Sequence, residues 1–141
     1  MLNTLKTVLK NGDFTCVIQQ GEQRYTARER GVAPLLSFYR SGEDFHGALA
    51  ADKVVGAAAA YLYALLGAQQ LYAAVMSERA AAILTEHGIL FEADTLVPLI
   101  KNRTGDGFCP MESAVWHLPL RDTQGALAAI EATMARLVAK K

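Results

Sequence analysis

The sequence has few cysteines, no net charge and no long apolar run, and each absence argues against a class of protein. Two cysteines, Cys16 and Cys109, are too few for the disulfide framework of a small secreted domain. The 14 basic and 14 acidic residues cancel, whereas a nucleic-acid-binding protein usually has a basic excess that neutralises phosphates. The most apolar stretch, residues 54–66, is too short to span a bilayer. We therefore expect no nucleic-acid partner and no membrane span.

The composition is that of a folded globular chain. Hydrophobic residues make up 52% and charged residues 20% of the 141 positions, which is enough to bury a core. The first residues are mixed polar and apolar and do not resemble a signal peptide. We expect a single domain over residues 1–141, in the cytoplasm and with reduced thiols.

Hydrophobic periodicity and turn residues predict an α/β order of elements. In the first 40 residues they predict a helix that ends at Asn11-Gly12, strands over 14–18 and 23–27, and a helix over 32–40. In the middle they predict a strand over 47–51, a helix over 53–66 with Asp52 as its N-cap, a strand over 71–76, a helix capped by Ser77, and a strand from Ile89. Alternating strands and helices at this spacing predict two crossover units on a parallel sheet.

The sequence of the last third of the chain predicts a loop and two helices. Residues 102–107 are rich in glycine and polar residues and read as a loop, after which Pro110 suits the first turn of a short helix. The C-terminal helix carries one apolar stripe, formed by Leu127, Ile130, Met134, Leu137 and Val138. The alanine-rich helix over 53–66 is apolar almost all round, so we expect other elements to cover most of its sides.

Two segments of the sequence, 52–56 (DKVVG) and 102–112 (NRTGDGFCPME), resemble a small prokaryotic family of uncharacterised proteins. The likeness extends over nearly the whole chain. It implies a cytidine-deaminase-like fold, which is a three-layer α/β/α sandwich with a mixed sheet. The order of elements predicted above agrees with that fold but does not single it out.

The resemblance does not carry the deaminase reaction with it. Deaminases have a His-x-Glu or Cys-x-Glu motif at one helix start and a Pro-Cys-x-x-Cys motif at the next, and these residues hold and assist a catalytic zinc ion. Here the first helix starts at Asp52-Lys53 and the second at Ser77, with alanines where thiolates would lie. The remaining histidines and cysteines show no ligand spacing. We predict no metal site and no cofactor.

Asp52 and Lys53 are the first candidates for a binding site. A helix start that follows a strand in an open α/β sheet is where ligands tend to bind, and its amides together with Lys53 would favour an anion. The alternative is an N-cap aspartate followed by a solvated lysine, and capping alone would explain Asp52. The two interpretations stay open.

The loop over 102–107 supplies the second group of candidates: Asn102, Arg103, Gly105, Asp106 and Gly107. Glycines let a backbone approach a ligand closely, and Arg103 can bind a phosphate or carboxylate through two hydrogen bonds. A plain surface turn needs the same glycine and aspartate residues for conformational reasons. The family resemblance favours the ligand loop.

Cys109 and Glu112 are the chemical candidates. A thiol at a helix start can be activated as a nucleophile, but Glu112 one turn later opposes thiolate formation, and a buried, inert cysteine is the commoner case. Glu112 can be a general base or a carboxylate that accepts hydrogen bonds from a helix terminus. Whether the protein is an enzyme stays undecided.

Three hypotheses follow from these candidates. The leading one is a binding protein or non-zinc enzyme for a small anionic ligand, nucleotide-like or nucleobase-like, which lies between the start of the Asp52 helix and the segment 102–112. The second is a cysteine-dependent enzyme that uses Cys109. The third is a non-catalytic homo-oligomer assembled through the alanine-rich helix.

Overall fold

One mixed sheet of five strands organises residues 2–29, 31–101 and 109–139, which are the residues that the computed structural model describes. The strands are β1 (Cys16–Gln20), β2 (Gln23–Ala27), β3 (Leu49–Val55), β4 (Gln70–Ser77) and β5 (Leu90–Val97). The helices are α1 (Leu2–Asn11), α2 (Ala33–Arg40), α3 (Ala57–Leu66), α4 (Glu78–Glu86), α5 (Pro110–Val115) and α6 (Thr123–Ala139).

The strands lie in the order β2-β1-β3-β4-β5. The hairpin β1–β2 is antiparallel and β1 pairs antiparallel with β3, whereas β3, β4 and β5 run parallel to one another. The predicted α/β class, the mixed sheet and the parallel pairing of the two crossover units are therefore confirmed.

Helices cover both faces of the sheet. On one face α1 buries Leu5 and Leu9 against Val17, Ala51 and Tyr72. On the other face α2, α3 and α4 contribute to the larger core together with α5 and α6. The result is a three-layer arrangement in which β3 and β4 are sandwiched between helices.

Helix α3 is enclosed by the rest of the chain. Eight of its ten residues are buried, because α2, α4, α5 and α6 all pack against it. The expectation that its sides would be covered is confirmed. Since these neighbours belong to the same chain, the alanine-rich surface is not available for the oligomer contact considered above.

The structure corrects two boundaries. The strand predicted to stop at 51 continues to Val55, and the helix begins at Ala57 after the N-cap Gly56. Asp52 is therefore a strand residue and not an N-cap: it pairs with Cys16 of β1, and the amide of Lys53 donates to the carbonyl of Thr15. These tertiary hydrogen bonds extend the strand beyond what local sequence indicates.

The C-terminal stripe is buried only in part. Ile130 is fully buried, and Leu127 and Met134 pack at the edge of the core. Leu137 and Val138, which were assigned to the same stripe, are 40% and 60% exposed because the last turns of α6 extend beyond the layer that they pack against. No helix within the described ranges combines the length and apolarity needed to cross a bilayer.

Candidate site at the carboxyl edge of the parallel strands

The parallel strands β3, β4 and β5 end at a common edge of the sheet, and helices α3 and α4 begin there. In open α/β sheets this edge is the usual location of ligand sites. The two helix starts are built differently. Ser77 caps α4 through its own side chain, whose hydroxyl accepts a hydrogen bond from the amide of Ala80 at 3.1 Å, as the sequence predicted.

Glu112 supplies the missing cap of α3. The N-cap residue Gly56 has no side chain, and the carboxylate of Glu112 instead accepts hydrogen bonds from the amides of Ala57 at 2.6 Å and Ala58 at 2.9 Å. Helix starts attract negative charge because their first amides lack partners within the helix. The structure therefore gives Glu112 the helix-terminus role, but for α3, 55 residues earlier in the chain, and not for its own helix.

The Glu112 carboxyl is almost completely enclosed, with 2% of the residue exposed. Burial raises its pKa, and the hydrogen bonds from Ala58 and Ala57 act in the opposite direction. Each carboxylate oxygen accepts a hydrogen bond from a backbone amide, and the enclosed group lacks the access that a general base needs to reach a substrate. Its contribution to the site is to anchor α5 at the carboxyl edge.

Asp52 belongs to a second buried polar group, one that the sequence did not predict. The hydroxyl of Tyr63 donates to one Asp52 carboxylate oxygen at 2.6 Å, and the amide of Val54 donates to the other at 3.2 Å. The Sγ of Cys16 lies 3.2 Å from the same hydroxyl. Burial raises the pKa of Asp52 to about 7, although its hydrogen bonds act in the opposite direction. Burial also raises the pKa of Tyr63 and that of Cys16.

Lys53 points away from this group. Side chains alternate between faces along a strand, and Lys53 lies on the α1 side, where its Nζ pairs with Asp13 at 3.2 Å. The Asp13 side chain is 90% exposed and that of Lys53 is 46% exposed. Asp52 and Lys53, which were predicted to act together on one ligand, thus face opposite sides of the sheet.

The second predicted group falls mostly outside the described residues. Asn102, Arg103, Gly105, Asp106 and Gly107 all belong to the segment 102–108, which the structure does not describe. The residues that flank this segment are described: the amide of Cys109 donates to the carbonyl of Ile100 at 3.2 Å. Cys109 itself is half-buried and is the N-cap residue of α5, with its thiol free.

Arg79 in the first turn of α4 is a further polar residue near these helix starts that the sequence analysis did not select. Its guanidinium donates through Nη2 to the carbonyl of Leu118 at 2.5 Å, while its buried Nε has no partner among the described atoms. The hydroxyl of Tyr61 donates to the neighbouring carbonyl of Pro119 at 2.9 Å. These contacts hold the connection between α5 and α6 against α3 and α4.

The opposite, amino-terminal edge of the sheet has a depression of about 560 Å³. It is lined in part by Glu43, Asp44, His46 and His87. Asp44 accepts a hydrogen bond from the amide of His46, and a ring nitrogen of His87 lies 2.9 Å from the carbonyl of Leu120. Within the described part of the chain no three His, Cys, Asp or Glu side chains are grouped so that they could hold a metal ion.

Comparisons with known proteins identify the family and the fold. The family model described as TM1506, domain of unknown function (DUF1893), matches residues 4–134. The chain is also similar to the crystal structure of a DUF1893 family protein (TM1506) from Thermotoga maritima, with a TM-score of 0.83 and 22% identity over 96% of this chain and 88% of that chain. At this identity the likeness establishes a shared fold. The comparison with curated proteins gave no match.

Proposed function

This chain belongs to the TM1506 family, a domain of unknown function (DUF1893), and we propose that it binds a small anionic ligand at the carboxyl edge of β3, β4 and β5. The observation that carries the proposal is the pair of hydrogen bonds from Ala57 and Ala58 to Glu112. These bonds fix the start of α5 beside the start of α3. The segment that joins β5 to α5 therefore begins and ends at this edge.

The closure of that segment supports the same location. β5 ends at Val97 on the carboxyl edge, and the hydrogen bond from Cys109 to Ile100 brings the two ends of the intervening segment together. In the sequence, Asn102, Arg103 and the glycines at 105 and 107 fall between these two ends. In the proposed site Arg103 binds the anionic group, Asn102 and Asp106 form hydrogen bonds, and Gly105 and Gly107 let the backbone approach the ligand.

The buried groups limit which residues contact the ligand. Because Glu112 already occupies the first amides of α3, a negative group cannot use that helix start and depends on Arg103. Asp52 is committed to Tyr63 and Val54, so it acts as part of the framework behind the site. Lys53 adds positive charge from the α1 side, where its Nζ pairs with the exposed Asp13.

An apolar residue at the same edge favours a ligand with a ring as well as a charge. Val54, next to the end of β3, is 47% exposed, whereas core valines such as Val55 are fully buried. An exposed apolar side chain at this edge suits a nucleotide-like molecule, whose base packs on apolar surface while its phosphate binds Arg103.

A thermal-shift comparison tests the proposal, because a ligand that binds only the native state raises the melting temperature. The probes are inorganic phosphate, a set of ribonucleosides and the corresponding nucleoside monophosphates. We expect at least one monophosphate to stabilise the wild type and the Arg121→Ala variant but not Arg103→Ala. Arg121 is the matched control because its exposed guanidinium pairs with Glu86 on the surface. No shift with any probe, or equal shifts in the two variants, would contradict the proposal.

A cysteine-dependent reaction at Cys109 is the second candidate, and one observation favours it. Cys109 is partly accessible at the base of the closed segment, whereas Cys16 is 3% exposed. A small thiol-directed reagent that inactivated ligand binding or turnover in the wild type but not in Cys109→Ser would support this function. Unchanged behaviour of the labelled protein would remove it.

A further inference from the structure

Strand β5 is an edge strand with an exposed apolar surface. Among the described residues its one neighbouring strand is β4, so the backbone groups of alternate residues along this eight-residue strand face outward without a strand partner there. Leu90 is 66% exposed and Leu96 is 54% exposed. Proteins usually protect such edges, since a long apolar edge pairs readily with another strand. The inference does not depend on the proposed ligand site.

The sequence of β5 is nearly symmetric about Ala93. Reading outward from Ala93, the two directions give Glu92 and Asp94, then Phe91 and Thr95, then Leu90 and Leu96. We propose that β5 pairs antiparallel with β5 of a second copy of this chain, about a twofold axis at Ala93. Each Leu90 then lies opposite Leu96 of the second copy, and the two sheets join into one sheet of ten strands.

Backbone geometry agrees with this register. The amide of Leu90 donates to Gln69 on the β4 side, and successive residues of a strand direct their hydrogen-bonding groups to alternate sides. Phe91, Ala93 and Thr95 therefore present their backbone groups to the open edge. Leu90 and Leu96 fall at non-hydrogen-bonded positions, where opposing side chains approach most closely.

The alternative registers are worse. Directly opposed side chains of an antiparallel pair share a face, so a twofold axis must pass through a residue and not between two residues. An axis through Glu92 or Asp94 would place that carboxylate against its own copy. The axis at Ala93 avoids the contact of Glu92 with Glu92 and that of Asp94 with Asp94. It also places Leu90 opposite Leu96 of the second copy.

The Ala93 register still places Glu92 opposite Asp94 of the second copy, and lysines from α1 offset this repulsion. Lys6 pairs with Glu92 at 2.8 Å and Lys10 with Asp94 at 3.8 Å. Each copy thus brings two lysines to its two carboxylates, and the joined surface is neutral. A strand from an unrelated protein would match neither the leucines nor these charges, which is why the occupant is a second copy.

The test is sedimentation of four forms of the full chain over a range of concentrations. We expect reversible dimers of the wild type. The Leu90→Lys/Leu96→Lys variant places lysine against lysine and should weaken the dimer by roughly tenfold or more. Leu90→Lys/Leu96→Glu places lysine against glutamate and should restore association. Leu137→Lys/Val138→Lys makes the same change on exposed apolar residues of α6 and should leave the dimer intact.

Each other outcome overturns the inference. A wild type that stays monomeric at the highest concentration shows that the edge has no second copy. Association that survives the double-lysine change, or that the lysine–glutamate pair does not restore, shows a different interface or register. Ala93→Pro gives an independent check: it removes an outward amide without touching the β4 ladder, so the variant should remain folded by circular dichroism and be monomeric.

Discussion

Gly56 and Glu112 are sterically matched: the carboxylate of Glu112 occupies the space that a Cβ on Gly56 would need. The backbone of Gly56 is extended, with φ at −96°, so the glycine is required by this close approach and not by its conformation. The start of α3 is thus completed by a residue from α5. That contact holds together the edge at which we place the ligand.

Replacing Gly56 with alanine should destabilise the protein. The added methyl group displaces the Glu112 carboxylate from the amides of Ala57 and Ala58, and we expect a loss of roughly 2–4 kcal/mol in the free energy of unfolding from overpacking and lost hydrogen bonds. Urea denaturation of the single and double variants measures the effect. In Gly56→Ala/Glu112→Asp the shorter side chain relieves the clash, so the two changes should cost less together than the sum of the separate losses. Strict additivity would show that the two residues are not coupled.

Asp52 should make stability depend on pH near neutrality. Burial raises its pKa from 3.8 to about 7 in the folded protein, so folding favours the protonated carboxyl. The contribution of Asp52 to the free energy of unfolding is then greatest below about pH 4 and falls between about pH 4 and pH 7, by up to about 4 kcal/mol. Asp52→Asn should flatten this slope, leaving the smaller contribution of Glu112, whose pKa is also raised. Denaturation at a series of pH values that gave the same slope in both proteins would contradict this account of Asp52.

The hydroxyl of Tyr63 should stabilise the charged form of Asp52. Tyr63→Phe removes a buried hydrogen bond and should cost roughly 1–3 kcal/mol. Because that bond lowers the pKa of Asp52 in the folded protein, its loss should also extend the pH-dependent fall in stability to higher pH. Tyr61→Phe is the matched control, since its hydroxyl donates to Leu118 and Pro119 and should leave the pH profile in place. A profile that shifts equally in both variants would rule out the specific contact.

The two thiols should differ in reactivity. Cys16 is 3% exposed and its pKa is raised chiefly by burial, whereas Cys109 is half-buried. An aromatic disulfide reagent at neutral pH should modify Cys109 readily and Cys16 roughly a thousandfold more slowly, because Cys16 reacts only when the structure opens. Cys109→Ser should remove the fast phase and denaturant should abolish the difference. Two thiols that reacted at one rate would contradict the placement of Cys16.

Local signals in the sequence were enough for most of the fold. Ser77 followed by a helical pattern predicts the start of α4, since an N-cap acts on amides within its own turn. The apolar alanine-rich run predicts an enclosed helix for a similarly local reason. The start of α3 was predicted wrongly at Asp52-Lys53, because an aspartate before an apolar run also suits an N-cap. The actual boundary is set by the pairing of β3 with β1, which no local sequence pattern predicts.

The contacts of the candidate site were harder to predict from the sequence. The bond from Ala57 to Glu112 spans 55 residues and the contact between Cys16 and Tyr63 spans 47, so neither can be deduced from spacing. One signal was available: a glycine at the junction of a strand and an apolar helix indicates a close approach by another group. The identity of that group required the structure.

The location of the ligand is the central claim, and mapping amide chemical shifts during titration with the stabilising nucleoside monophosphate tests it most directly. We expect the largest changes at Gly56, Ala57, Ser77 and Cys109, which mark the carboxyl edge, and small changes at His46, Gly67 and His87, which line the depression at the opposite edge. Changes concentrated around His46 and His87, or shifts too small to follow at any site, would contradict the account.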